Sequence, residues 1–202
     1  MTSSPKVDLK RTLETYRARR GVFSLVEVPP LRYLMVDGQG DPNSSPAYAA
    51  ALAALYPVAY GLKAASRKEL GRDYVVPPLE GLWWAQDMAA FTHARDKDRW
   101  SWTLMILVPE WIEEPMVQEA IGSRAGTVRQ AVLEEGTCLQ TLHVGSYDDE
   151  AGVLARLHEQ EIPSRGLRMT GLHHEIYLSD ARRTAPERLR TILRQPVEPV
   201  GG

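Results

Sequence analysis

A strand, a glycine turn and a capped helix follow one another twice in this chain, at residues 34–62 and again at 139–157. In the first copy, the run Asp37-Gly38-Gln39-Gly40-Asp41-Pro42-Asn43 is too dense in turn formers to continue a strand. Ser44 or Ser45 then supplies an N-cap, and Pro46 suits the first helical position. Tyr48, Leu52, Leu55, Ala59 and Leu62 recur behind it at helical spacing, with Tyr56 and Tyr60 beside the stripe. In the second copy, an extended stretch at 137–144 stops at Gly145, and Asp148 or Asp149 can cap the helix carrying Val153, Leu154 and Leu157. Residue identity between the copies is slight, so the repeat is one of pattern. Such a chain folds as an α+β domain of two sheet-and-helix halves, and halves that face each other leave a cleft between them.

The other elements fall around these copies. Leu9, Leu13 and Tyr16 predict a short basic helix within 7–20, and 23–36 reads as extended chain, with Pro29 and Pro30 marking an edge or a bulge. Residues 74–76 and 79–85 are predicted as short strands, 96–99 as a charged loop, and 100–108 as the strongest strand. A helix is expected from Pro115, its buried stripe running through Val117, Ala120, Ile121, Val128, Ala131 and Val132 to a stop at Gly136. Residues 163–171 read as a loop, 172–178 as a strand and 186–194 as a closing helix. The expected divisions are an N-terminal extension at 1–20 with a disordered tip at 1–5, one domain at 21–196, and a frayed tail at 197–202.

Composition narrows the function. A chain of 202 residues buries enough surface to fold without a metal or disulfide staple. Its 24 basic and 26 acidic residues leave a net charge of -2, which draws it neither to nucleic acid nor to an anionic membrane. Cys138 is the only cysteine, so an internal disulfide and a cysteine-rich zinc site are excluded and a reducing compartment is expected. Residues 1–10 lack the apolar core of a signal peptide, and the greasiest stretch, 47–62, is too short to span a bilayer and contains Pro57. The expected location is the cytoplasm; the oligomeric state is left open.

No phosphate-cradling glycine motif, dinucleotide fingerprint or nucleophile elbow is present, and Gly38-Gln39-Gly40 lacks the third glycine at Asn43. Kinase, dehydrogenase and serine-hydrolase readings lose their support. His173-His174-Glu175 invites a metal reading, but strand alternation puts only His173 and Glu175 on one face, one ligand short of a catalytic zinc site. Neither metal nor cofactor is expected. Glu175 lies among Leu172, Ile176 and Leu178. A carboxylate carried into such surroundings must be hydrogen-bonded, charge-paired or protonated, and a general acid or base is made this way. The plainer alternatives are a structural ion pair or a solvent-facing position. Trp83 and Trp84 take opposite faces of one strand, Trp100 and Trp102 share a face of another, and Trp111 follows its end. Core packing explains each singly. Yet Tyr33, Tyr56, Tyr147 and Tyr177 can converge on the same cleft, where rings with polar tips suit flat aromatic or cationic molecules.

The segments Glu80-Gly81-Leu82-Trp83-Trp84, Leu142-His143-Val144-Gly145-Ser146-Tyr147-Asp148 and His174-Glu175-Ile176-Tyr177-Leu178-Ser179-Asp180 resemble the GyrI-like small-molecule-binding domain. The Trp-Trp segment points to a stand-alone branch of that family. The resemblance implies a pseudo-twofold pair of strand-helix-strand-strand units in one curved antiparallel sheet, with helices on one side and a ligand cleft between the halves. Family members serve as drug-sensing modules of transcription regulators, where an acidic residue amid aromatics recognises the ligand. Only about twenty residues lie before the first strand here, so a preceding DNA-binding domain is not expected. The stand-alone branch includes hydrolases that open the strained cyclopropane of DNA-alkylating natural products related to yatakemycin, which protects the cell. For that chemistry the resemblance implies Glu175 as the carboxylate that activates water, and Tyr147 or His143 as donor to the developing phenolate oxygen. Trp83, Trp102 and Tyr177 are the expected slot walls, with Trp111, Tyr56 and Tyr33 as further ring contacts to a hydrophobic aromatic molecule. The alternatives are a drug-sequestering protein without turnover and an interaction protein acting on gyrase.

Overall fold

The computed structural model describes residues 5–84, 99–122 and 127–201. Its frame is one nine-stranded sheet in which every pairing between strands is antiparallel. In chain order come α1 (Leu9–Thr12), β1 (Ser24–Val28), β2 (Leu31–Gln39), α2 (Pro46–Glu69), β3 (Leu79–Trp84), β4 (Ser101–Leu107), α3 (Glu114–Ile121), β5 (Arg129–Leu133) and β6 (Gly136–Val144). Then follow a helix α4, which begins at Ala151–Ala155 and passes through a π-helical turn at Arg156–Glu161, and strands β7 (Leu167–Met169), β8 (His173–Tyr177) and β9 (Arg190–Pro199). The sheet order is β1-β6-β9-β8-β3-β4-β2-β5, with β7 added on β9. From the central β8-β3 pair outward, β9, β6 and β1 on one side answer β4, β2 and β5 on the other. Each half is a strand-helix-strand-strand unit, β2-α2-β3-β4 and β6-α4-β8-β9, which contains the strand-turn-helix repeat of the sequence and is the unit that the resemblance implied.

The two ends of this sheet belong to one ribbon. Val28 of β1 lies opposite Gly136 of β6, and Leu31 of β2 lies opposite Leu133 of β5. The register thus runs on unbroken across a gap of two residues on each strand. Pro29 and Pro30, which lack ladder N–H groups, sit at the gap on one side. Glu134 and Glu135 sit at it on the other. The sheet therefore curls back on itself and has an inside and an outside.

Helix α2 covers the outside of the first half through Ala51, Leu55, Val58, Ala59 and Leu62, packed on Leu34, Leu104 and Ile106. Each buried leucine or isoleucine contributes about 1.5–3 kcal/mol. Pro57 is tolerated inside this helix because it lies on the solvent side. Helix α4 covers the second half through Leu157 and Ile162 against Leu139, Leu193 and Val197. The inside is filled by Tyr33, Met35, Leu82, Met105, Leu107, Ile176 and Ile192, closed by Leu9 and Tyr16 of the N-terminal segment. Among the described residues, no helix is long and apolar enough to cross a membrane.

Several local expectations fail for a common reason. The helix predicted across 115–136 stops at Ile121, and Arg129–Leu133 is instead β5, paired to β2. The closing helix predicted at 186–194 is a single turn at Pro186–Arg188 followed by β9, a strand buried on both faces that runs to Pro199, through the start of the expected tail. Strand β2 continues through Asp37, Gly38 and Gln39 before the turn begins. In each case, pairing with a distant strand overrides the local signal. Of the charged loop expected at 96–99, residues 96–98 lie outside the described residues, as do 1–4 of the expected tip, Ala85 at the end of the predicted strand, and Gly202.

Candidate active site

Alternation along β3 and β8 sends neighbouring side chains to opposite sides of the sheet. On the outside, between α2 and α4, stand Trp83, His173, Glu175 and Tyr177, with Gly81 directly opposite Glu175. Glu175 is 8 % exposed. Its Oε2 accepts a hydrogen bond from the Tyr177 hydroxyl at 2.7 Å, and the Tyr177 oxygen accepts from Trp83 Nε1 at 3.0 Å. Among the described residues, no lysine or arginine pairs with this carboxylate. Gly81 is required by the crowding. A Cβ there would lie 2.7 Å from Trp83 Nε1 and 3.3 Å from the Tyr177 hydroxyl.

Rings build the walls. Tyr48, on the first turn of α2, stacks on Trp83 at 6.4 Å and 24° and meets Trp102 edge-on at 5.3 Å. Trp100 is edge-on to Trp83 at 5.8 Å, and Tyr147, in the turn after β6, is edge-on to Tyr177 at 5.6 Å. Burial, and after it the Glu175 charge, pushes the phenol of Tyr147 up to about 12 and raises those of Tyr48 and Tyr177 well above their ordinary value. All three therefore stay protonated at neutral pH and can donate. Glu150, 8 % exposed at the start of α4, adds its charge to the field around Tyr147 and Tyr177.

The inside of the same strand pair holds a different cluster. Glu80 and His174 point inward, and His174 donates from both ring nitrogens, to Glu80 Oε2 at 2.9 Å and to Glu135 Oε1 at 2.9 Å. Glu135 also accepts from Arg194 at 3.0 Å, and Arg194 goes on to Gln140 and to the Thr15 carbonyl. Tyr16 and Tyr33 donate to Glu80. Burial works against the charged forms here, but ion pairing outweighs it. His174 is raised to about 9 by Glu135 and Glu80, and Glu135 is lowered to about 2 by His174 and Arg194.

The sequence-predicted residues thus divide. Glu175, Tyr177, Trp83 and Tyr147 come together on the outer face of the sheet. Trp102 is fully buried behind Tyr48, its ring against Gly38 and its Nε1 donating to the Gly40 carbonyl at 3.2 Å, so it supports the wall and does not line it. Tyr56 is half-buried on α2, within the electrostatic reach of Tyr48 and Tyr147, and belongs to the rim. Three others are elsewhere. His143 lies in a separate hollow of about 540 Å³ beside Arg20, Phe23 and Arg156, its Nε2 2.9 Å from the Ser146 carbonyl of its own turn. Trp111 donates to Ser66 at the far end of α2. Tyr33 faces inward on Glu80. Sequence reasoning missed Tyr48, although its place one turn into α2 beside a glycine turn was visible. It also missed Glu150 and the inner cluster, whose members lie too far apart in sequence to signal one another.

The GyrI-like small molecule binding domain family matches residues 22–198. Among solved structures, an uncharacterised conserved protein from Listeria innocua is 35% identical, with 96% of this chain and 100% of that chain covered and a TM-score of 0.83. A protein of the same organism described as a hydrolase is 35% identical over the same shares, with a TM-score of 0.79. Another Listeria innocua structure described as a hydrolase is 34% identical, again covering 96% and 100%, with a TM-score of 0.81. No curated protein matches.

Proposed function

The chain belongs to the GyrI-like small-molecule-binding family, and from that premise we propose that it takes a planar aromatic molecule into the cleft over Glu175 and hydrolyses a strained electrophilic ring on it. The observation that carries this is Glu175 itself, a carboxylate out of bulk water, bonded by Tyr177, walled by rings and paired with no fixed cation among the described residues. The hydrolase descriptions of two relatives at 34–35% identity support the reaction class.

For a cyclopropane fused to a dienone, water bonds to the unsubstituted ring carbon while the carbon–carbon pair moves into the ring as a phenolate. Glu175 orients that water and accepts its proton. The Tyr177 bond fixes which carboxylate oxygen remains free for the task. Tyr147, kept protonated, donates to the developing phenolate oxygen, while Trp83 and Tyr48 grip the flat guest. Removal of such an alkylator in the cytoplasm protects DNA, so detoxification or self-resistance is the biological role.

The test is an indole-fused spirocyclopropyl cyclohexadienone incubated with the purified protein and followed by mass spectrometry. Wild type opens the ring with turnover, and Glu175→Gln is slower by roughly a hundredfold or more while still quenching tryptophan fluorescence on binding. Stoichiometric quenching with the compound recovered unchanged would instead make the protein a sequestering one.

A further inference from the structure

The buried groups left unused by this chemistry lie directly beside it, under α4. His173 is 9 % exposed, and both its ring nitrogens are buried with no hydrogen-bond partner among the described residues. Nε2 of His158 is in the same condition. The two imidazoles meet edge to face, 5.5 Å and 85° apart. His173 Nε2 lies 3.6 Å from Glu175 Oε1, the oxygen that Tyr177 does not take. Behind them Gln195 of β9 hydrogen-bonds His158, while its own amide nitrogen donates to the Thr170 and Pro196 carbonyls. His158 sits within the π-helical turn of α4, and such turns recur at functional sites because they re-aim a side chain.

Each orphaned buried polar atom gives up its hydrogen bonds to water with nothing in return. Three in one patch against a carboxylate are more than packing explains, since the adjacent His174 shows that this strand can satisfy both nitrogens of an imidazole. The spare nitrogens are therefore free to bind and pass protons.

We infer that His173, steadied by His158, is the proton-relay partner of Glu175, and that it clears the proton which Glu175 gains in each turnover. This rests on the hydrolase reading of the cleft. The proton taken from water moves from Glu175 Oε1 to His173 Nε2 after a small contraction of their separation, which restores the carboxylate. His173 releases it to solvent as product leaves, and the phenolate takes up a proton in exchange. Nothing is oxidised or reduced. His158 is held neutral, its imidazole lowered to about 4 by burial and by His173, so it orients the relay without carrying charge. Among the described residues, the titratable groups shown against His173 are Glu175 on its own strand and His158 on α4. Trp83 is opposite it on β3, and Gln195 of β9 reaches it through His158.

The experiment has two arms. In the first, His173→Gln is assayed on the spirocyclopropyl dienone. Turnover falls roughly tenfold or more with KM unchanged, the pH profile alters, and added imidazole restores part of the rate. His158→Gln gives a smaller loss. Unchanged kcat in His173→Gln, with Glu175→Gln still inactive, overturns the relay and leaves the hydrolase reading intact. In the second arm, the imidazole 15N resonances of the resting protein are compared between wild type and Glu175→Gln. Those of His173 move and those of His143 do not if the pair shares a proton. Fixed His173 signals overturn the pairing whether or not any substrate is turned over. Moving signals in a protein that opens no ring uphold the pairing and count against hydrolysis alone.

Discussion

The two sides of the β3-β8 pair carry the same residue types to opposite ends. Each side buries a glutamate and a histidine from neighbouring positions, Glu80 with His174 within and Glu175 with His173 without. Inside, every charge has an opposite partner, and tyrosine hydroxyls take up the remaining valence of Glu80. Outside, Glu175 has a tyrosine on one oxygen, and among the described residues nothing hydrogen-bonds the His173 nitrogens. A saturated cluster is structural, because any change in it strands a buried charge. An unsaturated one can exchange protons and bind a guest.

The largest expected effect falls on the saturated side. Glu135→Ala leaves both His174 and Arg194 without their shared anion in a fully buried setting, and should cost about 3–5 kcal/mol in urea denaturation. A cost below about 1 kcal/mol would mean that the inner cluster is no more structural than the outer. The next effect is alkaline. The pKa of His174 is raised from 6.5 to about 9, so its contribution is fully present below pH 6.5 and is lost as pH rises through about 9. That amounts to roughly 3 kcal/mol. Urea midpoints at pH 6 and pH 9.5 should differ accordingly in wild type, and the difference should shrink in Glu135→Gln.

Smaller effects belong to the outer side. Gly81→Ala pushes a methyl against the Trp83 indole, and should lower affinity for a planar ligand about tenfold with a stability loss of about 1–3 kcal/mol, read by fluorescence quenching and by thermal unfolding. Smallest of all is the effect of Glu175→Gln on stability, expected to be under about 1 kcal/mol because no charged partner is stranded. A loss as large as that of Glu135→Ala would erase the distinction between the two faces.

Much of this arrangement was legible in the residues. The doubled strand-turn-helix pattern fixed an α+β pair of halves, and strand alternation alone put His173 and Glu175 together and His174 opposite them. Alternation is a property of the backbone, so it survives any tertiary context. Residues 189–193 were misread as helix because their apolar spacing fits either period when both faces of a strand are buried. Residues 128–132 were misread because pairing to β2 makes a strand of residues that are largely half-buried or exposed, Val132 among the exposed.

What the chain decided by itself was which side chains share a face. Only the folded sheet decided what those faces meet. The ribbon of β1-β2 against β5-β6 brings Glu135 to His174 and Arg194 across 39 and 59 residues of chain, and the seating of α2 sets Tyr48 over Trp83. Such encounters depend on the pairing of distant strands and the docking of helices, which are set by the whole core at once and leave no mark in any local stretch of sequence.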